Sequence, residues 1–177
     1  PGLAEAAVTA EKNRLVFSDT PVEKKAIYSR DVTDVDLEVG VRILGEAKGR
    51  VGIIIGYHQD DQDESYYLFV MEKNSEFRLS RYTNTEEEEI LRLRGEAAPL
   101  SDSKRKIQQI KVKILGPWIM MYHNGKLLNG WLGDSIIEGK IGVYADANLP
   151  VVFSQFEMTP ALEYDIPDAS LEPGESD

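Results

Sequence analysis

The sequence predicts an all-β protein, an antiparallel sandwich or barrel. Apolar and polar residues alternate with a period of two through most of the chain, and one Asn-Gly pair stands between two such arms. A period of two sends successive side chains to opposite faces of a strand, whereas a helix needs a period near 3.6. "KAIYSR", "VDLEVGVRIL", "RVGIIIGY", "SYYLFVME", "EFRLSRYT", "EILRLRG", "KIQQIKVKIL", "WIMMYHNGKLLNG", "GKIGVYADA" and "VVFSQFEM" belong to a set of about ten to twelve short strands divided by turn residues. In "TEEEEILRLRGEAAPL" the apolar Ile90, Leu91 and Leu93 form too short a block for an amphipathic helix.

The Asn124-Gly125 pair supplies the two positive φ angles of a type I′ turn, so strands at 118–123 and 126–131 are expected to pair. Gly52 and Gly56 bracket "III", an apolar run that predicts a strand covered on both faces. "GKIGVYA" places small residues where a strand runs close to its neighbour. Gly52, Gly56, Tyr67, Phe69, Phe153 and Phe156 are read as packing residues, and Trp118, at a strand start, as buried.

Length and charge bound the function. The 177 residues suit one domain, and a net charge of −11 argues against a nucleic-acid binder, which needs a basic stripe to neutralise phosphates. No apolar run reaches the roughly eighteen residues that span a bilayer, so no membrane insertion is expected. With no cysteine there is no disulfide framework or thiolate metal site. Residues 1–11, small and Ala-rich, read as a leader or linker, and 12–160 as the sandwich domain. Residues 161–177, with six acidic residues and no basic ones, read as a tail.

The order of "DVDLEVGVRI", "GRVGIIIGYHQDD", "SYYLFVM", "EFRLSRY", "KIQQIKVKILGPWIMMYHNGKLL", "GKIGVYAD" and "VVFSQFEM" resembles the concanavalin A-like lectin/glucanase superfamily. Within it the resemblance is to laminin-G-like and keto-disaccharide-hydrolase-like bacterial modules. Gly52, Tyr57, Tyr66, Tyr67, Phe69, Tyr122, Asn124, Gly125, Gly139, Ile141, Gly142, Phe153 and Phe156 stand at the pattern positions, while Gly56 stands where the branch often has Arg. The resemblance implies a jelly-roll β-sandwich.

Asp34, Asp36 and Glu38 would share one strand face, the spacing by which laminarinase-like glycosidases of this fold hold their catalytic carboxylates. Those enzymes place Glu at both ends of the row, because retaining chemistry needs two carboxyls about 5–5.5 Å apart across the bond. Asp34 is too short for that, so the row is read as a solvated or ligand-facing strand surface. Sugar recognition combines aromatic rings with planar polar groups, and Tyr57, His58, Tyr66, Arg78, Arg81, Tyr82 and Trp131 offer both. Trp131, after the hairpin and flanked by glycines, is expected to be an exposed stacking ring.

Asp60, Asp61 and Asp63 in "HQDDQDESYY" are candidate oxygen ligands for calcium, although a solvated loop is the simpler reading, and no other cofactor is expected. His123 is expected at an exposed cross-strand position, and the "EEEE" at 86–89 and the basic Lys104, Arg105, Lys106, Lys111 and Lys113 at solvated edges. The expected function is a non-catalytic, lectin-like module recognising a glycan or other extracytoplasmic ligand, periplasmic or secreted. A structural or protein-interaction domain of a larger secreted assembly, with a protein ligand, is the alternative, and a glycoside hydrolase a further one.

Overall fold

The computed structural model describes residues 8–11, 14–45, 48–72, 76–95 and 106–162, with strand pairing alone for 8–11. Among them are thirteen strands and no helix. They are β1 (Val8–Glu11), β2 (Arg14–Phe17), β3 (Lys24–Ile27), β4 (Val35–Ile43), β5 (Val51–Gln59), β6 (Glu64–Met71), β7 (Glu76–Thr83), β8 (Glu86–Arg94), β9 (Gln108–Leu115), β10 (Trp118–His123), β11 (Lys126–Leu132), β12 (Lys140–Ala145) and β13 (Val151–Pro160). One sheet has the order β1-β2-β13-β4-β9-β10-β11 and the other β3-β12-β5-β6-β7-β8, with every pairing antiparallel. The architecture is a jelly-roll β-sandwich, as expected.

Period-two patterning builds the core directly. Val35, Leu37, Val39, Val41 and Ile43 of β4 point inward and meet Ile53 and Ile55 of β5, Phe69 and Met71 of β6, Phe77 and Leu79 of β7 and Val143 of β12 in one cluster. Phe17 and Phe153 pack edge to face, 5.2 Å apart. Asn124 and Gly125 have φ of 48° and 78°, the geometry expected for the β10–β11 turn. β1 lies within the segment assigned to the leader, and its pairing with β2 extends the larger sheet. Ala161 donates its amide to the Asp34 carbonyl, 2.7 Å away, and is buried; residues 163–177 of the expected tail lie outside the described residues.

Four expectations need correction. Phe156 is 40% exposed, because β13 bulges between Ser154 and Glu157 with Gln155 at φ 53°, which interrupts the alternation. Trp118 is half-buried, held at the edge between Leu115 and Leu132. Lys111 and Lys113 of β9 are not a solvated edge; both reach Asp36, at 2.9 and 3.6 Å, and Lys113 is buried. Lys104 and Arg105 lie outside the described residues.

His123 is buried rather than exposed. Its Nε2 lies 2.8 Å from Gln108 Oε1 and its ring 5.0 Å from that of Phe77. Gln108 Oε1 also accepts from Asn124 Nδ2, at 3.0 Å, an arrangement in which the imidazole donates through Nε2. Burial pulls its pKa down. The unfolded chain therefore takes up a proton that the folded chain refuses, and this share of stability is complete above the ordinary imidazole value of about 6.5 and is lost as pH falls below it. Urea titrations of the wild type and His123→Gln at pH 7.5 and 5.5 should show a smaller acid loss in the variant.

Candidate functional site

The outer face of the six-stranded sheet gathers a connected set of planar polar groups. Its floor is Ile54 of β5 with Leu68 and Val70 of β6, all nearly fully buried although no third layer packs over them. Long side chains from the flanking strands cover them instead. Ile54 explains why "III" is apolar throughout, since Ile53 and Ile55 face the core and Ile54 faces this cover.

Arg50, just before β5, is the centre of the cover. Its Nε donates to both Asp146 oxygens at 3.2 Å, and its backbone amide donates to Asp146 Oδ2 at 2.8 Å. Nη1 donates to Tyr82 Oη at 3.0 Å and to both Glu87 oxygens at 3.1 Å. Tyr144, buried on β12, donates to Asp146 Oδ1 at 2.6 Å, with Glu23 Oε2 at 3.1 Å. Ser80 Oγ adds a bond to Glu87 at 2.9 Å. Arg78 pairs with Glu72 at 2.6 Å and lies 3.5 Å from Glu87.

The electrostatics hold this lattice in one protonation state. Burial alone would lower the pKa of the Arg50 guanidinium, but the Asp146 hydrogen bond and charge outweigh it and the net shift is upward. Burial would raise the Glu87 carboxyl, yet hydrogen bonds from Tyr82 and Ser80 and the Arg50 and Arg78 charges hold it below the usual carboxylate range. The Tyr144 and Tyr82 phenols are pushed up, first by burial and then by hydrogen bonds to Asp146 and Glu87 respectively, so they remain donors at neutral pH. The lattice keeps an open edge: Arg50, Glu87 and Asp146 side chains retain 22%, 28% and 24% of their surface.

Beside the lattice, Tyr57, Tyr66 and Tyr82 run across β5, β6 and β7. The rings of Tyr66 and Tyr82 stack 4.8 Å apart and nearly parallel, and Tyr57 is tilted 5.8 Å from Tyr66. Lys25 Nζ sits 4.6 Å above the Tyr66 ring and is fixed by Glu64 at 2.9 Å. A shallow depression of about 590 Å³ bounded by Glu23, Arg50, Tyr144 and Asp146 opens at one end of this face.

Comparison with solved structures places the architecture. The carbohydrate binding module CBM66 from Bacillus subtilis superposes with a TM-score of 0.69 at 14% identity, over 85% of this chain and 89% of that one. The chain has the concanavalin A-like lectin/glucanase fold. The same fold relates it to the Bacillus licheniformis β-glucanase, with a TM-score of 0.60 at 10% identity over 87% of this chain and 82% of that one. Sheep galectin-11 matches with a TM-score of 0.56 at 8% identity, over 79% and 98%. No family model matches the sequence, and no curated protein matches it.

On this lectin/glucanase frame, four of the seven residues expected to bind ligand share one face: Tyr57, Tyr66, Arg78 and Tyr82. His58 and Arg81 turn toward a cavity at the end of the sheet. Trp131 is not an exposed loop ring. It lies on β11 opposite Ile119, half-buried against the core with its ring 5.3 Å from that of Tyr67, because the chain after the hairpin stays in the sheet. Trp131→Ala should therefore cost about 2 kcal/mol, below the 3–5 of a fully buried aromatic. Ligand binding on the outer face should be unchanged, as denaturation and affinity measured on the same variant would show.

The carboxylate row is also rearranged. Asp34 precedes β4 at φ 46° and accepts the Gly116 amide at 2.8 Å, so it leaves the row. Asp36, only 13% exposed, is paired with lysines rather than solvated, and it lies on the other sheet. Asp60 Oδ1 accepts the Gln62 and Asp63 amides at 3.1 and 2.9 Å, while Asp63 accepts from Asn84 at 3.1 Å. These bonds, with Asp61 exposed beside them, close an exposed turn, and among the described residues no three acidic or imidazole side chains converge as metal ligands.

Arg50, Asp146, Glu87 and Tyr144 were not among the expected site residues. The signal is positional: Glu87 belongs to an acidic run whose composition predicts a solvated edge, yet it faces Tyr82 across β7 and β8. Tyr144 follows Gly142 by two residues and shares its outward face.

Proposed function

We propose that the outer face of the six-stranded sheet recognises a glycan and that the chain is a non-catalytic carbohydrate-binding module acting outside the cytoplasm. The observation that carries this reading is the Arg50–Asp146–Glu87 lattice, held rigid by its own hydrogen bonds yet open along one edge above an apolar floor. Sugar hydroxyls donate and accept at once, and a fixed guanidinium beside fixed carboxylates offers both functions without ordering free side chains on binding. The carbohydrate-binding module and the galectin among the structural neighbours lend support.

Catalysis fits this face less well. A glycosidase needs one carboxylic acid with a raised pKa as proton donor. Glu87, set between Arg50 and Arg78, is pushed in the opposite direction. A glycan array, followed by calorimetry on any polysaccharide retained, should give binding that Glu87→Gln weakens tenfold or more with no released sugar. A chelator arm reads any part played by Asp60, Asp61 and Asp63. A silent array, or product release that depends on Glu87, would overturn the proposal.

A further inference from the structure

At the end of the sheet near the Tyr66–Tyr82 pair lies a second cavity, of about 220 Å³, enclosed between β5, β6, β7 and the segment 135–138. It is continuous with the tyrosine row, since Tyr66 and Tyr82 line it. Arg81 reaches it from the opposite face of β7. It follows the inward parity of Phe77 and Leu79, but it stands where the sandwich opens, across from Tyr67, and is exposed.

Arg81 differs from the arginines of the outer face. Arg50, Arg78 and Arg92 are each neutralised by two or more carboxylates. Arg81 has no hydrogen-bond or ion-pair partner among the described residues, and its cross-strand neighbour Glu88 makes no ion pair with it. Glu138 lines the cavity without pairing to Arg81, and its carbonyl lies 2.9 Å from His58 Nε2. With that nitrogen donating, Nδ1 is left as an acceptor. Ser65 and Ser135 add hydroxyls, and Ile136, 66% exposed, flanks the opening.

We infer that this cavity is a subsite for an acidic sugar unit, with the unpaired Arg81 fork receiving its carboxylate or sulfate. An arginine fork binds such a group through two parallel hydrogen bonds, and it is the charged donor here not already spent on a protein carboxylate. His58, Ser65 and Ser135 are placed to meet the hydroxyls. The inference rests on the glycan reading of the adjoining face and selects charged over neutral glycans for it.

The test measures affinity of the whole chain for oligouronates, for sulfated oligosaccharides and for neutral β-glucan oligosaccharides, in wild type, Arg81→Gln and Arg81→Lys. Wild type should prefer one acidic series, and which one distinguishes carboxylate from sulfate. Arg81→Gln should lose tenfold or more for that series only, Arg81→Lys should lose less, and binding should weaken as salt rises. Equal loss for neutral and acidic ligands, or none, would overturn the subsite while leaving the glycan reading intact. Absence of binding to every series would overturn both. Melting curves of the variants should match wild type, since Arg81 is exposed and unpaired.

Discussion

Arg50→Met should abolish glycan binding and lower stability by about 2 kcal/mol. The substitution keeps the aliphatic stem over the floor and removes the guanidinium, so Asp146 and Glu87 lose their shared cation while remaining largely enclosed. Breaking a fully buried pair costs about 3–5 kcal/mol, and this one is cheaper because each partner keeps an open edge and other donors. Asp146 retains the residue-50 amide and the Tyr144 hydroxyl, and Glu87 retains Ser80. Arg50→Lys restores charge without the fork and should recover stability more than binding. Calorimetry with urea titration separates the two, and binding by Arg50→Met within twofold of wild type would rule out the lattice as the recognition element. Because the folded Glu87 carboxyl is held low, its contribution is complete above the ordinary carboxylate value of about 4.3 and fades only as pH falls through its lower folded value.

Gly52→Ala should be more damaging to the fold, at about 3 kcal/mol or more, seen as a fall in melting temperature of roughly 10 °C for a domain of this size. A Cβ at position 52 would overlap the Phe69 carbonyl oxygen and lie 2.7 Å from Val70 Cα. Both are backbone atoms of β6, so no side chain can swing aside and the β5–β6 ladder itself must open. Position 52 also pairs with Tyr144 on the other side, so the disturbance reaches the donor that holds Asp146. Gly142→Ala meets the same obstacle at the Ala26 carbonyl oxygen. A variant melting within 2 °C of wild type would show that the strands have slack there.

The sequence alone determined most of the strands, though not β1 and β2, together with the β10–β11 turn, the close approach at Gly142 and most of the core, because each depends on residues near one another along the chain. Alternation declares which side chains share a face, and Asn-Gly declares a turn, before any distant contact forms. The same local logic explains the failures. By spacing Asp34 extends a row that its positive φ breaks, and Phe156 continues an alternation that the bulge at Gln155 interrupts. Trp131 looked like a loop residue because its Gly neighbours hide the continuing strand. Alternation also does not say which face will be covered by the second sheet, and so Asp36 and Glu87 looked alike as surface acids.

Only the tertiary structure decided that Asp36 meets two lysines on one sheet while Glu87 joins the arginine lattice on the other. Arg50 lies 96 residues from Asp146, 94 from Tyr144 and 37 from Glu87 in the chain. No periodicity or motif spans such separations. Their meeting follows from a strand order that sets β12, β5, β6, β7 and β8 side by side, and hydrogen bonds of about 3 Å register that order only once the backbone has closed.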